Sequence, residues 1–238
     1  MSESANTSSW KHIAWLPVNA ALSFVLPNIL LRQFRIPFNL YCVVLAMVVA
    51  AAIWYYARAS KIKWSGSLKP GWALGLIFGV FFGLAFMSLT SASRPNLHAL
   101  ILNSPTIPLI LQGPLYGLAS SLLISGLPFV ITWRALAGTN PGNLRKAAVT
   151  TAAVLAIASN AALYNIGMPD SNGSIGQRIK NSLAASIPTI VSGNPLASPI
   201  SNMFLQVSQP VALSIEKSSE IAGKPRETNS KTSPGGAN

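Results

Sequence analysis

Long apolar runs alternate with short polar clusters along this chain. Five such runs lie between Trp10 and Ile166, and a sixth, interrupted one follows. Each of the five approaches the roughly 20 residues that a helix needs to cross the hydrocarbon core of a bilayer. A helix is the element expected, because a segment in hydrocarbon must satisfy its own backbone hydrogen bonds. The pattern predicts helices over Trp10–Leu31, Asn39–Ala57, Gly71–Ser91, Ile107–Trp133 and Ala147–Ile166. Pro17 and Pro27 should kink the first, and Pro114 and Pro128 the fourth, because proline lacks the backbone donor. Trp10 and Trp15, and then Trp54, Tyr55 and Tyr56, stand at run ends where an interfacial aromatic belt belongs.

The last third is less regular. Met168 to Asn181 is polar, Ser182 to Val191 is too short to span, and Gly193-Asn194-Pro195 is a break. Leu196 to Ile215 is long enough to cross, although it carries Asn202, Gln206 and Gln209. It reads as a sixth spanning helix, with Asn194 as its N-cap and Pro195 as its first helical residue. Five spans remain if it does not cross. Residues 1–9 form a polar arm, residues 10–215 a transmembrane helical domain, and residues 216–238 a tail of Ser, Thr, Pro, Gly and mixed charge. The tail is expected to be disordered and solvated, since it has almost nothing to bury. The expected fold is therefore all-α: a polytopic transmembrane helix bundle with short loops, none long enough to hold a soluble domain.

Composition sharpens this picture. The mean hydropathy is +0.45 and only 9% of residues are charged, against roughly 25% in a typical soluble domain. The net charge is +12, but the basic residues sit between apolar runs and form no stripe. That distribution points to the lipid bilayer and its anionic head groups as partners, not to nucleic acid. With six spans and both termini cytoplasmic, in a plasma or inner membrane, twelve basic residues fall inside and five outside. The positive-inside rule favours that orientation. The one cysteine, Cys42, lies in an apolar run and reads as a small buried residue.

The most regular motif is a glycine-zipper pattern in the third run: Gly71, Gly75, Gly79 and Gly83, every four residues. The fourth run carries Gly113, Gly117, Ser121 and Ser125 at the same spacing, and the fifth carries Ala148, Ala152, Ala156 and then Asn160. Small residues at this spacing let helix backbones approach closely. They predict tight internal packing, with homo-oligomerisation or a small-residue solute path as the alternatives. Neutral amides inside the runs would seek partners across helix interfaces or line a polar cavity. The cavity reading is sharpest for Gln112 and Tyr116, which flank the Pro114 kink. Asn160 and Asn202 complete the candidate set.

The exclusions are as informative. No Asp or Glu occurs between Ala5 and Pro169, so proton relays and cation sites built on membrane carboxylates are not expected. His12, His98 and Cys42 are too few and too scattered to hold a metal. An intramembrane serine protease needs a Gly-x-Ser-Gly segment with a helix-borne histidine, and neither is present; paired glutamates and a phosphate-binding loop are missing as well. No cofactor is expected. These residues point to a non-catalytic integral membrane protein, a packing subunit or accessory protein of a membrane assembly or a homo-oligomer. The alternative is a permease or channel for a small neutral or anionic solute. The two differ in one geometric respect: a permease should hold a polar cavity reaching Gln112, Tyr116 or Asn160, whereas a packing subunit should fill that space. Solute binding should also be nearly flat between about pH 5 and pH 8, because amides and tyrosine do not titrate there.

Overall fold

The computed structural model describes residues 10–60, 72–92, 111–136, 143–169 and 174–206. Every element among them is helical. Helix α1 is Trp10–Gln33, α2 is Phe38–Ala59, α3 is Trp72–Ala92 and α5 is Asn143–Gly167. Helix α4 covers residues 111–136 in four contiguous pieces, of which Leu111–Tyr116 and Leu122–Gly126 are π-helical. Helix α6 is Ile175–Ser192, and α7 covers residues 197–206. Four helical stretches are long and apolar enough to cross a membrane: Trp10–Gln33, Phe38–Ala59, Gly113–Leu136 and Lys146–Gly167. Within α3, Ala73–Phe86 is a shorter apolar stretch.

Two ends of the bundle can be distinguished. At one, the start of α1 meets the end of α2, with His12 Nδ1 2.9 Å from the Tyr56 hydroxyl and Trp15 edge-on to the Tyr56 ring. Leu127 and Ile131 of α4 join Tyr56 there. Trp10, Trp54 and Tyr55 are exposed, and the Arg58 guanidinium lies over the Trp54 ring. Exposed aromatics beside a cation suit a membrane interface, where one side of the ring is apolar and the other wet. At the opposite end, α1 turns into α2 through Arg35, whose φ of 50° is left-handed. The Ile36 N–H returns to the Leu30 carbonyl, one residue further back than the usual closing bond across a left-handed residue, in keeping with the π-helical turn Asn28–Gln33 before it.

The prolines act through the hydrogen bonds they remove. In the π-helical turn of α4, the Leu127 N–H bonds back five residues to the Leu122 carbonyl. The same register would pair the Leu123 carbonyl with residue 128, which is proline and has no N–H. That carbonyl instead accepts from the Asn19 side-chain amide at 2.9 Å. Asn19 also donates to Asn160 Oδ1 at 2.9 Å, and Ser23 Oγ donates to the same oxygen at 3.0 Å. One polar knot thus ties α1, α4 and α5 together inside the bundle.

The C-terminal third departs from expectation. Residues read as a polar loop and a short apolar run form the continuous helix α6. It starts because the Ser174 side chain accepts from the Gln177 N–H, and it stops at Gly193 in the left-handed conformation, φ 64°. The chain then reverses. Asn194 Oδ1 accepts from the Leu196 N–H, so Asn194 does cap the next turn. Thr189 and Ser198 lock the two arms by a reciprocal pair, Thr189 N–H to Ser198 Oγ and Ser198 N–H to Thr189 Oγ1, at 3.0 and 3.1 Å.

Helix α7 lies in a trough of glycines. Built on Gly75, a Cβ would strike the Asn194 amide; on Gly79 it would lie 2.6 Å from Ile200 Cβ, and on Gly83 2.7 Å from the Phe204 ring. On α4, a Cβ at Gly117 would lie 2.7 Å from the Asn202 carbonyl oxygen, and one at Gly126 3.1 Å from that of Pro195. Helix α7 therefore runs parallel to α3 and antiparallel to α4. This bears on the expected sixth span. The break at Gly193-Asn194 faces Gly126 and Gly75. The described part of α7 heads back towards the end where α5 finishes, so the expected return to the Trp10 end is not the path taken through residue 206. Residues 207–215 and the expected tail lie outside the described residues, as do the arm 1–9 and the loop lysines Lys61, Lys63 and Lys69.

Candidate functional site

A cavity of about 450 Å³ opens between α4, α5, α6 and α7, at the end of the bundle away from Trp10. Helix α4 contributes Tyr116, Ser120, Ser121 and Ile124; α5 contributes Tyr164 and Asn165, with Met168 beyond it. Helix α6 contributes Arg178, Asn181, Ser182, Ala185 and Ser186, and α7 contributes Asn202, Leu205 and Gln206. Phe38 closes one side, edge-on to Tyr116. The α6 residues recur at three and four positions, so they share one face of a regular helix. A volume of this size is within the range of small-molecule sites.

The polar groups on the wall are mostly tied down. Tyr164 Oη donates to Tyr116 Oη at 3.1 Å and lies 3.0 Å from Tyr41 Oη. The three hydroxyls of Tyr41, Tyr164 and Tyr116 thus form one chain between α2, α5 and α4 that ends at the cavity wall. Asn165 Nδ2 donates to Ser182 Oγ at 2.9 Å and to the Ala161 carbonyl at 2.7 Å, fixing α6 to α5. Ser120 and Ser186 return their hydroxyls to carbonyls four residues back.

Two atoms of lining residues are buried, out of reach of the cavity itself, without a hydrogen-bond partner among the described residues. Asn202 is 8% exposed, and its Nδ2 donates to the Gly117 carbonyl at 3.2 Å, available because Gly117 has no side chain to hold α7 away. The other end of the amide, Oδ1, is buried without a hydrogen-bond partner among the described residues. Arg178 donates through one terminal nitrogen to the Pro169 carbonyl at 3.2 Å, while its Nε is likewise buried without a partner there. Arg178 and Asn202 both line the cavity, and Arg178 is the one charged residue among its described lining residues.

The four residues expected at a polar cavity are not all in one place. Tyr116 and Asn202 line it together. Asn160 is 2% exposed and belongs to the knot with Asn19 and Ser23, and it also donates to the Ala156 carbonyl. The Gln112 side chain lies outside the described residues, although its backbone is part of α4. Among the expected packing residues, Gly75, Gly79, Gly83 and Gly117 meet α7 and the turn before it. Gly113 and Ser121 are buried in α4, and Gly71 lies outside the described residues. On α5 the fully buried stripe is Val149, Ala153, Ile157 and Ala161; Ala152 and Ala156 are half-buried one position away, and Ala148 is exposed. Cys42 is buried. His98 lies outside the described residues, and among those described no three His, Cys, Asp or Glu side chains converge.

No protein-family model, curated protein or solved structure matches this chain.

Proposed function

We propose that this chain is a multi-pass integral membrane protein that binds and moves a small neutral or anionic solute through the α4–α7 cavity. The observation that carries this reading is the cavity itself. Helices packed only for support would fill the space beside Tyr116 and Asn202 with side chains, whereas here about 450 Å³ is left open, walled largely by apolar side chains with hydroxyls, amides and one guanidinium among them. The absence of Asp and Glu between Ala5 and Pro169 fits a neutral or anionic solute better than a cation.

The small-residue stripe on α3 is covered by this chain's own Asn194, Ile200 and Phe204, so it packs internally and offers no free face for homo-oligomerisation. In the membrane, α1 to α5 would make five crossings; on the loops and N-terminal arm alone, eight basic residues at the Trp10 side against five at the other favour a cytoplasmic Trp10 end, while the four of the tail would then lie on the opposite side. Helices α6 and α7 would form a hairpin that enters and leaves from the opposite side. Non-helical backbone within membrane depth is tolerated where it is buried in protein or lines a cavity, and the Gly193-Asn194 turn is held between α3 and α4.

The test is uptake into proteoliposomes of a panel of labelled neutral and anionic small solutes, with Ala185→Trp as the cavity-filling control. Wild type should take up at least one solute, with uptake nearly flat between about pH 5 and pH 8, since no described lining residue is a histidine or carboxylate. The tryptophan variant should fold and take up none. Transport that is indifferent to Ala185→Trp would remove the cavity from the mechanism, and no uptake of any solute would return the chain to a packing role.

A further inference from the structure

The wall of the cavity changes character from mouth to floor. Helices α4 and α6 start at the end away from Trp10, and α5 and α7 run towards it. Arg178, Asn181 and Gln206 therefore stand at the mouth, while Ile124 and Ala185 lie deeper. From Arg178 to Ala185 the helix descends about 10 Å. Polar residues reach the floor as well, but their hydrogen bonds are spent. Ser120 and Ser186 return their hydroxyls to the Tyr116 and Ser182 carbonyls at 2.6 and 2.8 Å. The Ser121 hydroxyl faces Ser125 Oγ at 3.4 Å. Asn202 gives its amide N–H to the Gly117 carbonyl, and its oxygen is buried away from the space. The floor thus offers few free donors, and most of the lining surface is apolar.

A polyhydroxylated solute seated there would leave water for a surface with few partners, and each hydroxyl buried without one is costly. A carbon body gains on the same surface in proportion to the apolar area it covers. From this we infer that the cavity takes a small amphiphile, with a compact carbon body on the Ile124–Ala185 floor and one polar end at the Arg178–Asn181–Gln206 mouth. The inference rests on the solute-binding reading above and narrows it, from neutral or anionic solutes in general to carbon-rich ones. A polar end at the mouth keeps water and the mouth side chains as partners, so it is not buried unmatched. The occupant is a free solute and not a lipid chain, because the mouth lies beside the exposed polar residues Gln177, Lys180 and Asn181 at the start of α6, a composition that belongs on the aqueous side of a bilayer.

Site-specific protection tests this on the full chain in proteoliposomes. Ala185→Cys, in a Cys42→Ser background, would be reacted with uncharged methyl methanethiosulfonate at graded concentrations of four probes. Cyclohexanol and inositol share a carbon ring and differ in carrying one hydroxyl or many. Hexanoate and gluconate share chain length and carboxylate, and only gluconate carries hydroxyls. Half-protection should need about tenfold less cyclohexanol than inositol, and about tenfold less hexanoate than gluconate, one buried hydroxyl without a partner being worth about that factor. Gly176→Cys, at the exposed start of α6, should react at an unchanged rate throughout. Equal protection within each pair, or better protection by inositol and gluconate, would overturn the inference while leaving a solute site in place. Slowing at Gly176→Cys by the same factor would trace the effect to the bilayer and overturn the inference as well. A thiol at position 185 that is shielded before any probe is added would give the floor to a lipid chain, against both this inference and the solute-binding reading. No protection by any probe would overturn both.

Discussion

Replacing Gly79 by alanine adds one methyl group and tests the seat of α7 directly. The new Cβ would stand 2.6 Å from Ile200 Cβ, 2.8 Å from its Cγ2 and 2.9 Å from the Ala197 carbonyl oxygen. Carbon atoms are comfortable at about 3.5–4.0 Å, so the shortfall is about 1 Å. No rotamer change relieves it, because a Cβ is fixed to its own backbone and a carbonyl oxygen belongs to one. Helix α7 must therefore move away from α3, loosening the fits at Gly75 and Gly83. Overpacking of this kind costs about 1–3 kcal/mol, offset by about 1 kcal/mol from the better helix propensity of alanine. The net loss should be about 0–2 kcal/mol, or up to about 8 °C in Tm for a chain of this size. Leucine, with three further carbons and the same clash, should cost more than 3 kcal/mol. The assay is thermal unfolding in detergent, with Gly176→Ala as control: there the nearest atom is Ser174 Oγ at 4.0 Å, and the change should be neutral or stabilising. If Gly79→Leu melts with wild type, α7 does not sit in the glycine trough and the hairpin described here is misplaced.

Asn160→Leu should cost about 1–3 kcal/mol by the same assay, since it strips partners from both Asn19 and Ser23 at about 0.6–2 kcal/mol for each membrane hydrogen bond; the double variant with Asn19→Leu should recover part of that loss, and strict additivity would mean the two amides do not interact. Topology gives a second prediction, read by an impermeant thiol reagent on intact cells in a Cys42→Ser background. Cysteines at Gly176 and Gln206 should share one accessibility and a cysteine at Lys11 the opposite one; if Gln206→Cys behaves like Lys11→Cys, the hairpin crosses the membrane completely.

The first five helices were legible because their signal is bulk apolarity over roughly 20 residues, which survives errors of a few positions. Trp10, Phe38, Trp72 and Gly167 as termini fall within a few residues of the expected bounds. The hairpin was not legible for the same reason. Helix α6 opens with Arg178, Lys180, Asn181 and Ser182, so a search for lipid-facing apolar runs reads its first half as loop. The signal that could have found it is the spacing of Arg178, Asn181, Ser182, Ala185 and Ser186, a polar face three and four residues apart. The glycine series in α3 identified a close approach, but not which segment approaches, since a trough of glycines is indifferent to what fills it. On α5 the fully buried residues are Val149, Ile157 and Tyr164 as well as the alanines between them, one position round the helix from Ala152 and Ala156, which are half-buried; residue size alone did not mark that face. Asn160 and Asn202 could not be told apart by sequence, since the same amide serves a buried knot or a cavity wall according to what stands opposite.

The central claim is that the wall of the α4–α7 cavity is open to water and favours anions. In a Cys42→Ser background, Ala185→Cys places a thiol on that wall at a half-buried residue that gives up no side-chain hydrogen bond. Its modification rates by a negatively charged and a positively charged methanethiosulfonate reagent would be measured in proteoliposomes. The account predicts modification by both, with the rate ratio favouring the anionic reagent relative to the same ratio at an exposed control such as Gly176→Cys, and that preference lost on Arg178→Gln. A thiol at position 185 that reacts with neither reagent, or that prefers the cationic one, would contradict it.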